Sequence, residues 1–371
     1  MIELLRKLVS INSIFPNEEN IANFIFAKLI SLGFDVKKQY ISKNRFNILA
    51  EKGSANKSYL LYGHLDTVQV SNDWLSNPFD LKIDGDIATG LGTADMKGGL
   101  TAILEAIRDI EPKNYKLKVC FAVDEENYSE GAFNIIKTSY LDDVKGVLVP
   151  ESSLPAHKSD KAGCTITLGR KGRCVYLIKI FGKTSHGVEI ENGINAIEEG
   201  AKLILALKYF NSSCFVSRFE SKSLSLSIPE YAELELDCHL VYPQNSINLK
   251  EELENFIICL QEKNYLNKNC KFDLDYIKRP TPFLEAFSVD ENENFVKIVT
   301  QAVKKVYSES YYNHGNSVAD ENVFASLGIP TLTLGALGDN HHCAEEWVSL
   351  KSIENLIRIY KLVLQYLEEV N

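Results

Sequence analysis

No two cysteines in this chain stand at Cys-x-x-Cys spacing, although there are eight of them, at 120, 164, 174, 214, 238, 259, 270 and 343. Without that spacing there is no zinc-thiolate motif. Several cysteines sit in apolar runs such as Lys118-Val-Cys-Phe-Ala-Val123, so they read as buried reduced thiols and not as a disulfide framework. Excess positive charge is missing as well. A net charge of −10 argues against nucleic acid and membrane partners, which need basic faces. No stretch is apolar enough to span a bilayer. The opening Met-Ile-Glu-Leu-Leu-Arg-Lys soon reaches Asn12 and Asn17 and lacks the apolar core of a signal peptide. Repeats and low-complexity tracts are absent. What is left is a cytoplasmic enzyme or binding protein of 371 residues, 45% hydrophobic and 24% charged, with length enough for about two domains.

Asn17-Glu-Glu is expected to cap a helix whose apolar face is Ile21, Ile25, Leu29 and Leu32, with Gly33 ending it. Short strand-like runs follow at Phe46–Ala50, Ser58–Tyr62, Leu117–Val123 and Val144–Val149, with a helical stretch from Gly98 to Ile110. Strands alternating with helices predict an α/β sheet. Near Gly169-Arg-Lys-Gly172 the character changes to strand, helix, two strands, helix, strand, ending about Arg279. That β-α-β-β-α-β order is ferredoxin-like. Within it Leu234, Leu236, Cys238 and Leu240 alternate with Glu233, Glu235, Asp237 and His239, the mark of a half-buried sheet. After Arg279-Pro-Thr-Pro the α/β character resumes. The expected domains are therefore 1–169 with 280–371, and an insertion over 170–279.

Chemistry belongs at strand ends, where loops carry side chains over an open sheet edge. Tyr59-Leu-Leu-Tyr-Gly-His-Leu-Asp-Thr67 leaves one strand with His64 and Asp66. Asp95 stands at a helix start, Asp124-Glu-Glu126 leaves the third strand, and Glu151 leaves the fourth. Singly each has a plain reading: His64 a hydrogen-bonded structural residue, Asp95 a helix cap, Glu125 and Glu126 a solvated pair. Together these acidic clusters would repel strongly unless a cation sat among them. Imidazoles with carboxylates suit zinc, manganese or cobalt better than calcium or magnesium.

The segments Gly63-His-Leu-Asp-Thr-Val68, Gly92-Thr-Ala-Asp-Met-Lys-Gly-Gly99, Asp124-Glu-Glu126, Pro150-Glu151 and His342-Cys-Ala-Glu-Glu-Trp-Val348 span nearly the whole chain. In that order they resemble the family of acetylornithine deacetylase, succinyl-diaminopimelate desuccinylase, aminoacylase and glutamate carboxypeptidase. The resemblance implies a catalytic domain with a central mixed sheet flanked by helices, and an inserted ferredoxin-like lid and dimerisation domain. It also implies two divalent metal ions, zinc before cobalt or manganese, with a bridging water that cleaves an amide bond. His64, Asp95 and Glu151 would hold one ion and Asp95, Glu126 and His342 the other. Asp66 would accept the second ring N–H of His64, and Glu125 would be the general base. Phe181-Gly-Lys-Thr-Ser-His186-Gly resembles the lid motif whose histidine crosses a homodimer interface to the oxyanion. His341 adjoins the implied ligand, but its neighbour's spacing to Glu345 and Glu346 favours His342. His157 and His314 read as structural or surface residues.

The substrate-reading residues depart from the family pattern. Where many relatives carry Asn-x-Ile-Pro and then Asp-x-Arg, this chain has Leu226-Ser-Ile-Pro229 and Asp237-Cys-His239. His239 stands where a guanidinium would grip a carboxylate, which a neutral imidazole cannot do in the same way. Arg279 resembles the relatives' basic substrate-carboxylate residue, with a hinge-side surface arginine as the plain alternative. The expected activity is deacylation of a small N-acyl amino acid. The alternatives are a dipeptidase or carboxypeptidase and, more remotely, a non-catalytic metal-dependent binding protein. Such a binding protein would have had no use for Glu125.

Overall fold

The computed structural model describes residues 1–152, 164–210, 213–222 and 226–369. These form two compact units, Met1–Arg170 with Ser288–Asn371, and Lys171–Phe287.

The larger unit opens with α1 (Ile2–Ser10) and α2 (Glu19–Ser31). Strands β1 (Asp35–Ser42), β2 (Arg45–Lys52), β3 (Ser58–His64), β4 (Lys82–Asp84) and β5 (Ile87–Thr89) follow. Then come α3 (Gly98–Ala106), β6 (Lys116–Ala122), α4 (Glu130–Ile135), β7 (Val144–Val149) and β8 (Thr165–Arg170). The smaller unit contains β9 (Gly172–Phe181), α5 (Ala196–Leu207), β10 (Ser213–Ser221), β11 (Tyr231–Leu240), α6 (Ser246–Glu262) and β12 (Lys271–Tyr276). The chain returns through β13 (Phe287–Ser288) to α7 (Asn294–Tyr307), β14 (Tyr311–Gly315), α8 (Glu321–Ala325), β15 (Thr331–Thr333), β16 (Gly338–Asp339), β17 (Trp347–Ser349) and α9 (Leu350–Glu369).

The main sheet of the larger unit is mixed, in the order β1-β2-β6-β3-β7-β15-β8-β13, with β14 beside β8. Its centre is parallel: β3 runs with β6 and β7, and β7 with β15. Parallel centres need both faces covered, and every residue of β3 is buried. One group of helices, α1, α3, α7 and α9, packs together, while α2, α4 and α8 pack against β1, β2, β15 and one another. A small sheet, β16-β17-β5-β4, stands apart. The helix expected after Asn17 forms, and Gly33 takes φ +80° beyond its end, but the residue before its first turn is Glu18 and no side chain caps it.

The smaller unit is a four-stranded antiparallel sheet in the order β10-β11-β9-β12, the ferredoxin-like arrangement. Leu234, Leu236, Cys238 and Leu240 are fully buried with Leu203 of α5 and Leu249, Leu253 and Ile257 of α6. Helices therefore cover the face that the alternation marks as apolar. Cys214 and Cys238 face each other across β10 and β11 as a disulfide, which the reading of the cysteines as buried reduced thiols did not anticipate. Among the described residues, no helix is long and apolar enough to cross a membrane.

Candidate metal centre

Three parallel strands deliver their loops to one edge. His64 is the last residue of β3 and pairs with Ala122 at the end of β6, while Leu61 pairs with Leu148 near the end of β7. The loops that leave these strands carry Asp66, Glu125 with Glu126, and Glu151. Asp95 comes from an irregular turn, Thr93–Lys97, just ahead of α3, and His342 from the loop between β16 and β17.

Asp95 is central. Its Oδ1 lies 2.9 Å from His64 Nε2 and its Oδ2 3.3 Å from His342 Nε2, which is also 3.0 Å from Glu126 Oε2. His64, Asp95 and Glu126 each present a ligand atom within 4.8 Å of the others, and so do His64, Glu125 and Glu151. The other Glu126 oxygen, Oε1, is buried with no hydrogen-bond partner. Burial would depress the His64 imidazole, but Asp95, Glu125 and Asp66 carry it well above its ordinary range. Hydrogen bonds to Asp95 and Glu126 push His342 up to about 11. Asp95, which burial alone would raise, is held low by the two imidazoles. A pocket that pulls histidines toward the cationic form is short of positive charge.

The backbone around this cluster is held by carboxylates. Asp66 is buried; it accepts the amides of Glu125 at 3.3 Å and Glu126 at 3.0 Å, and burial raises its carboxyl to about 7. The acceptor facing His64 Nδ1 is not the Asp66 side chain, 3.7 Å away, but the Asp66 backbone oxygen at 3.0 Å. The carboxylate is turned to the next loop instead, which a two-residue spacing in the sequence does not reveal. Burial also raises Glu125 well above its ordinary value, with Glu126, Asp320 and Asp95 adding to the shift. Asp124 and His342 sit at φ +76° and +59°, left-handed backbone that costs a non-glycine residue stability and that surrounding contacts must hold.

Glu151 is bonded to the Arg170 guanidinium, whose Nε and Nη2 also donate to Glu321 Oε1 at 3.0 and 2.8 Å. Glu321 Oε1 further accepts from Thr333 Oγ1 at 2.5 Å. Glu346, buried, accepts three backbone amides of the Asp95 loop; burial and the Asp95 charge push its carboxyl up, while those three amides favour the ionised form. His341 pairs with Ser152.

With this geometry in view, the sequence profile of peptidase family M20/M25/M40 matches residues 60–366. The chain belongs to that family. It is 26% identical to a succinyl-diaminopimelate desuccinylase of Aliarcobacter butzleri, over 98% of this chain and 99% of that one. Its fold is shared with a tripeptidase from Staphylococcus aureus at TM-score 0.77 and 21% identity, covering 100% of this chain and 98% of the other. A dinuclear metal-binding peptidase of Bacillus subtilis superimposes at TM-score 0.75 and 16% identity, covering 100% and 98%. As an M20 family member the protein is a metallohydrolase of amide or peptide bonds.

Of the remaining sequence candidates of this M20 chain, His186, His239 and Arg279 lie in the smaller unit. His186 is exposed, bridges to Ser227, and accepts the Val188 amide at Nδ1, 3.3 Å away. The His239 ring faces Phe215 with centroids 6.3 Å apart. Arg279 donates to Thr281 Oγ1 at 3.2 Å, and its guanidinium lies over Phe283. His314 Nε2 is 2.8 Å from Ser288 Oγ; His157 lies outside the described residues. Arg170, Asp320, Glu321 and Glu346 were missed by the sequence reading. The signal available for two of them was Ala319-Asp-Glu-Asn322, paired carboxylates opening a helix.

Proposed function

We propose that the larger unit is a catalytic domain holding two divalent ions, zinc by preference, and that it removes the acyl group from a small N-acyl amino acid. One observation carries this: two imidazoles and four carboxylates from loops far apart in sequence meet at one sheet edge, with Glu126 Oε1 buried and unpartnered. Nitrogen with anionic oxygen is a donor set that zinc takes well. In the proposed set, His64, Asp95 and Glu151 hold one ion and Asp95, Glu126 and His342 the other, with Asp95 shared. When bound, the ions supply Lewis-acid polarisation of the amide carbonyl and of water. Asp66 fixes the Glu125–Glu126 backbone, and Glu125, raised by burial, takes a proton and returns it to the leaving nitrogen. The deacylase reading is supported by the desuccinylase relative and by Glu151; the tripeptidase fold favours a peptidase as the second reading.

The unit Lys171–Phe287 is proposed as a lid and dimerisation domain in a cytoplasmic homodimer, with His186 serving the partner's oxyanion. Support comes from β10, an open sheet edge, and from exposed Leu205, Tyr209 and Phe215. Arg279 and His239 are proposed substrate contacts.

The test is a panel of N-acetyl, N-succinyl and dipeptide substrates with zinc, cobalt and manganese, run beside Glu125→Gln. That variant should turn over roughly a hundredfold more slowly with metal content unchanged. Full activity in a metallated Glu125→Gln protein rejects the mechanism. Mixing Glu125→Gln with His186→Ala subunits should restore activity if His186 acts in trans; no recovery after confirmed exchange removes that role.

A further inference from the structure

The turn that carries Asp95 is neither helix nor ordinary loop. Gly92 sits at φ +78°, and Asp95 and Met96 depart from helical angles inside the turn. Its amides at 92, 94 and 95 consequently converge on one point instead of on carbonyls of a preceding turn. Such a set of amides demands an anion. The chain supplies it from residue 346. Glu346 Oε2 accepts from Gly92 at 2.7 Å, and Oε1 from Ala94 at 2.8 Å and Asp95 at 2.9 Å. The Glu346 carbonyl adds two more bonds, from Gly90 N at 3.0 Å and Thr93 Oγ1 at 3.1 Å. The residue is 2% exposed. It stands four positions after His342, whose Nε2 is 3.3 Å from Asp95 Oδ2.

We propose that Glu346 is a positioning residue that sets the separation of Asp95 and His342 by gripping the backbone under Asp95. This deepens the reading of those two side chains as metal ligands and rests on it. The carboxylate has both oxygens taken up by these backbone amides. Its role is to couple two loops that contribute to one coordination sphere, and only an acceptor at both oxygens can fill it. Glutamine matches the shape but turns an NH2 toward an amide N–H, so at least one of the three bonds becomes a donor facing a donor.

The probe is zinc alone, titrated into chelator-stripped full-length protein against a chromophoric competitor. Wild type should bind two ions, and Glu346→Gln should bind at least one of them about 10–100-fold more weakly. At saturating zinc its kcat should fall with KM little changed. The cobalt-substituted protein should show a shifted visible spectrum, a change in coordination that simple destabilisation does not produce. Leu364→Ala, a cavity in α9, serves as the stability control and should keep wild-type affinity and spectrum. If wild type itself binds no zinc, the metal reading fails. If wild type binds two ions and Glu346→Gln matches it in affinity and spectrum, the positioning role alone is overturned. Should Glu346→Gln not fold, Glu346→Asp is read in its place, since a carboxylate one methylene shorter cannot span Gly92 and Asp95 together. Wild-type affinity there overturns the proposal, as does a folding loss in both variants.

Discussion

Replacing Arg45 by methionine should cost this protein more than any surface charge and should do so through the loop that carries Glu125. The Arg45 side chain is 11% exposed and donates to Glu18 from Nε at 2.9 and 3.2 Å and from Nη2 at 2.6 Å, and to Asp124 Oδ1 at 3.2 Å. Those two carboxylates are 0% and 1% exposed, so solvent cannot take over when the cation is removed. Removing one partner of a buried ion pair costs about 3–5 kcal/mol, mostly from the charge left behind. The contact of the guanidinium with the Phe15 ring, 4.5 Å to its centroid, is lost as well. For a body of this size the melting temperature should fall by about 6–20 °C. Asp124 also accepts the Glu130 amide at 3.0 Å and supplies the carbonyl for Ser129 N at 2.7 Å, so turnover should fall in protein that remains folded. Melting of the metal-loaded protein measures the first effect, and adding Glu18→Gln to Arg45→Met should recover part of the loss. A melting temperature within about 2 °C of wild type would refute the reasoning, since it would mean the buried carboxylates need no cation.

Three further outcomes follow from other contacts. Burial alone would raise the Asp143 carboxyl, but bonds from Lys118 and Ser58 and the charges of Lys118 and Lys116 hold it below its ordinary 3.8. A folded pKa below the unfolded one gives stability that is present above 3.8 and lost as pH falls through the folded value, so Asp143→Asn should flatten the melting curve's dependence on pH below that point. A methyl group at Gly335 would overlap the Glu151 carbonyl, so Gly335→Ala should lower metal content and turnover by about 10–100-fold; full occupancy in the variant would refute the placement of Glu151. Stripping metal with a chelator should lower the melting temperature, and zinc at 100 times its dissociation constant should restore about 2.7 kcal/mol, read as a zinc-dependent melting shift.

Much of the architecture was readable because it depends on local pattern. The alternation in Glu233–Leu240 marked a half-buried strand, and the short apolar run Ser58–Tyr62 marked another with His64 at its exit. The site's ligand candidates were legible for the same reason. What holds them in place was not. Glu346 meets Gly92 across 254 residues and Arg170 meets Glu321 across 151, and nothing in either neighbourhood says which of many carboxylates is bent toward which amide or guanidinium. Asp66 shows the limit at short range: its two-residue distance from His64 predicts a contact, but φ and ψ turned its carboxylate to the following loop and left its carbonyl facing the ring. The strands β4, β5, β16 and β17, of two or three residues each, are too short to show a period at all.

The position of β15 has a consequence for how the chain is made. It lies between β7 and β8, parallel to one and antiparallel to the other, yet it is synthesised after both and after the entire smaller unit. On the ribosome β7 and β8 therefore wait as open edges while more than a hundred residues of another body emerge and fold, and the gap between them closes only when Thr331–Thr333 arrives. His342 leaves the tunnel just after that strand. A nascent chain interrupted before β15 is an unfinished sheet that also lacks His342, so such truncated products of this gene carry the aggregation hazard of an unpaired edge.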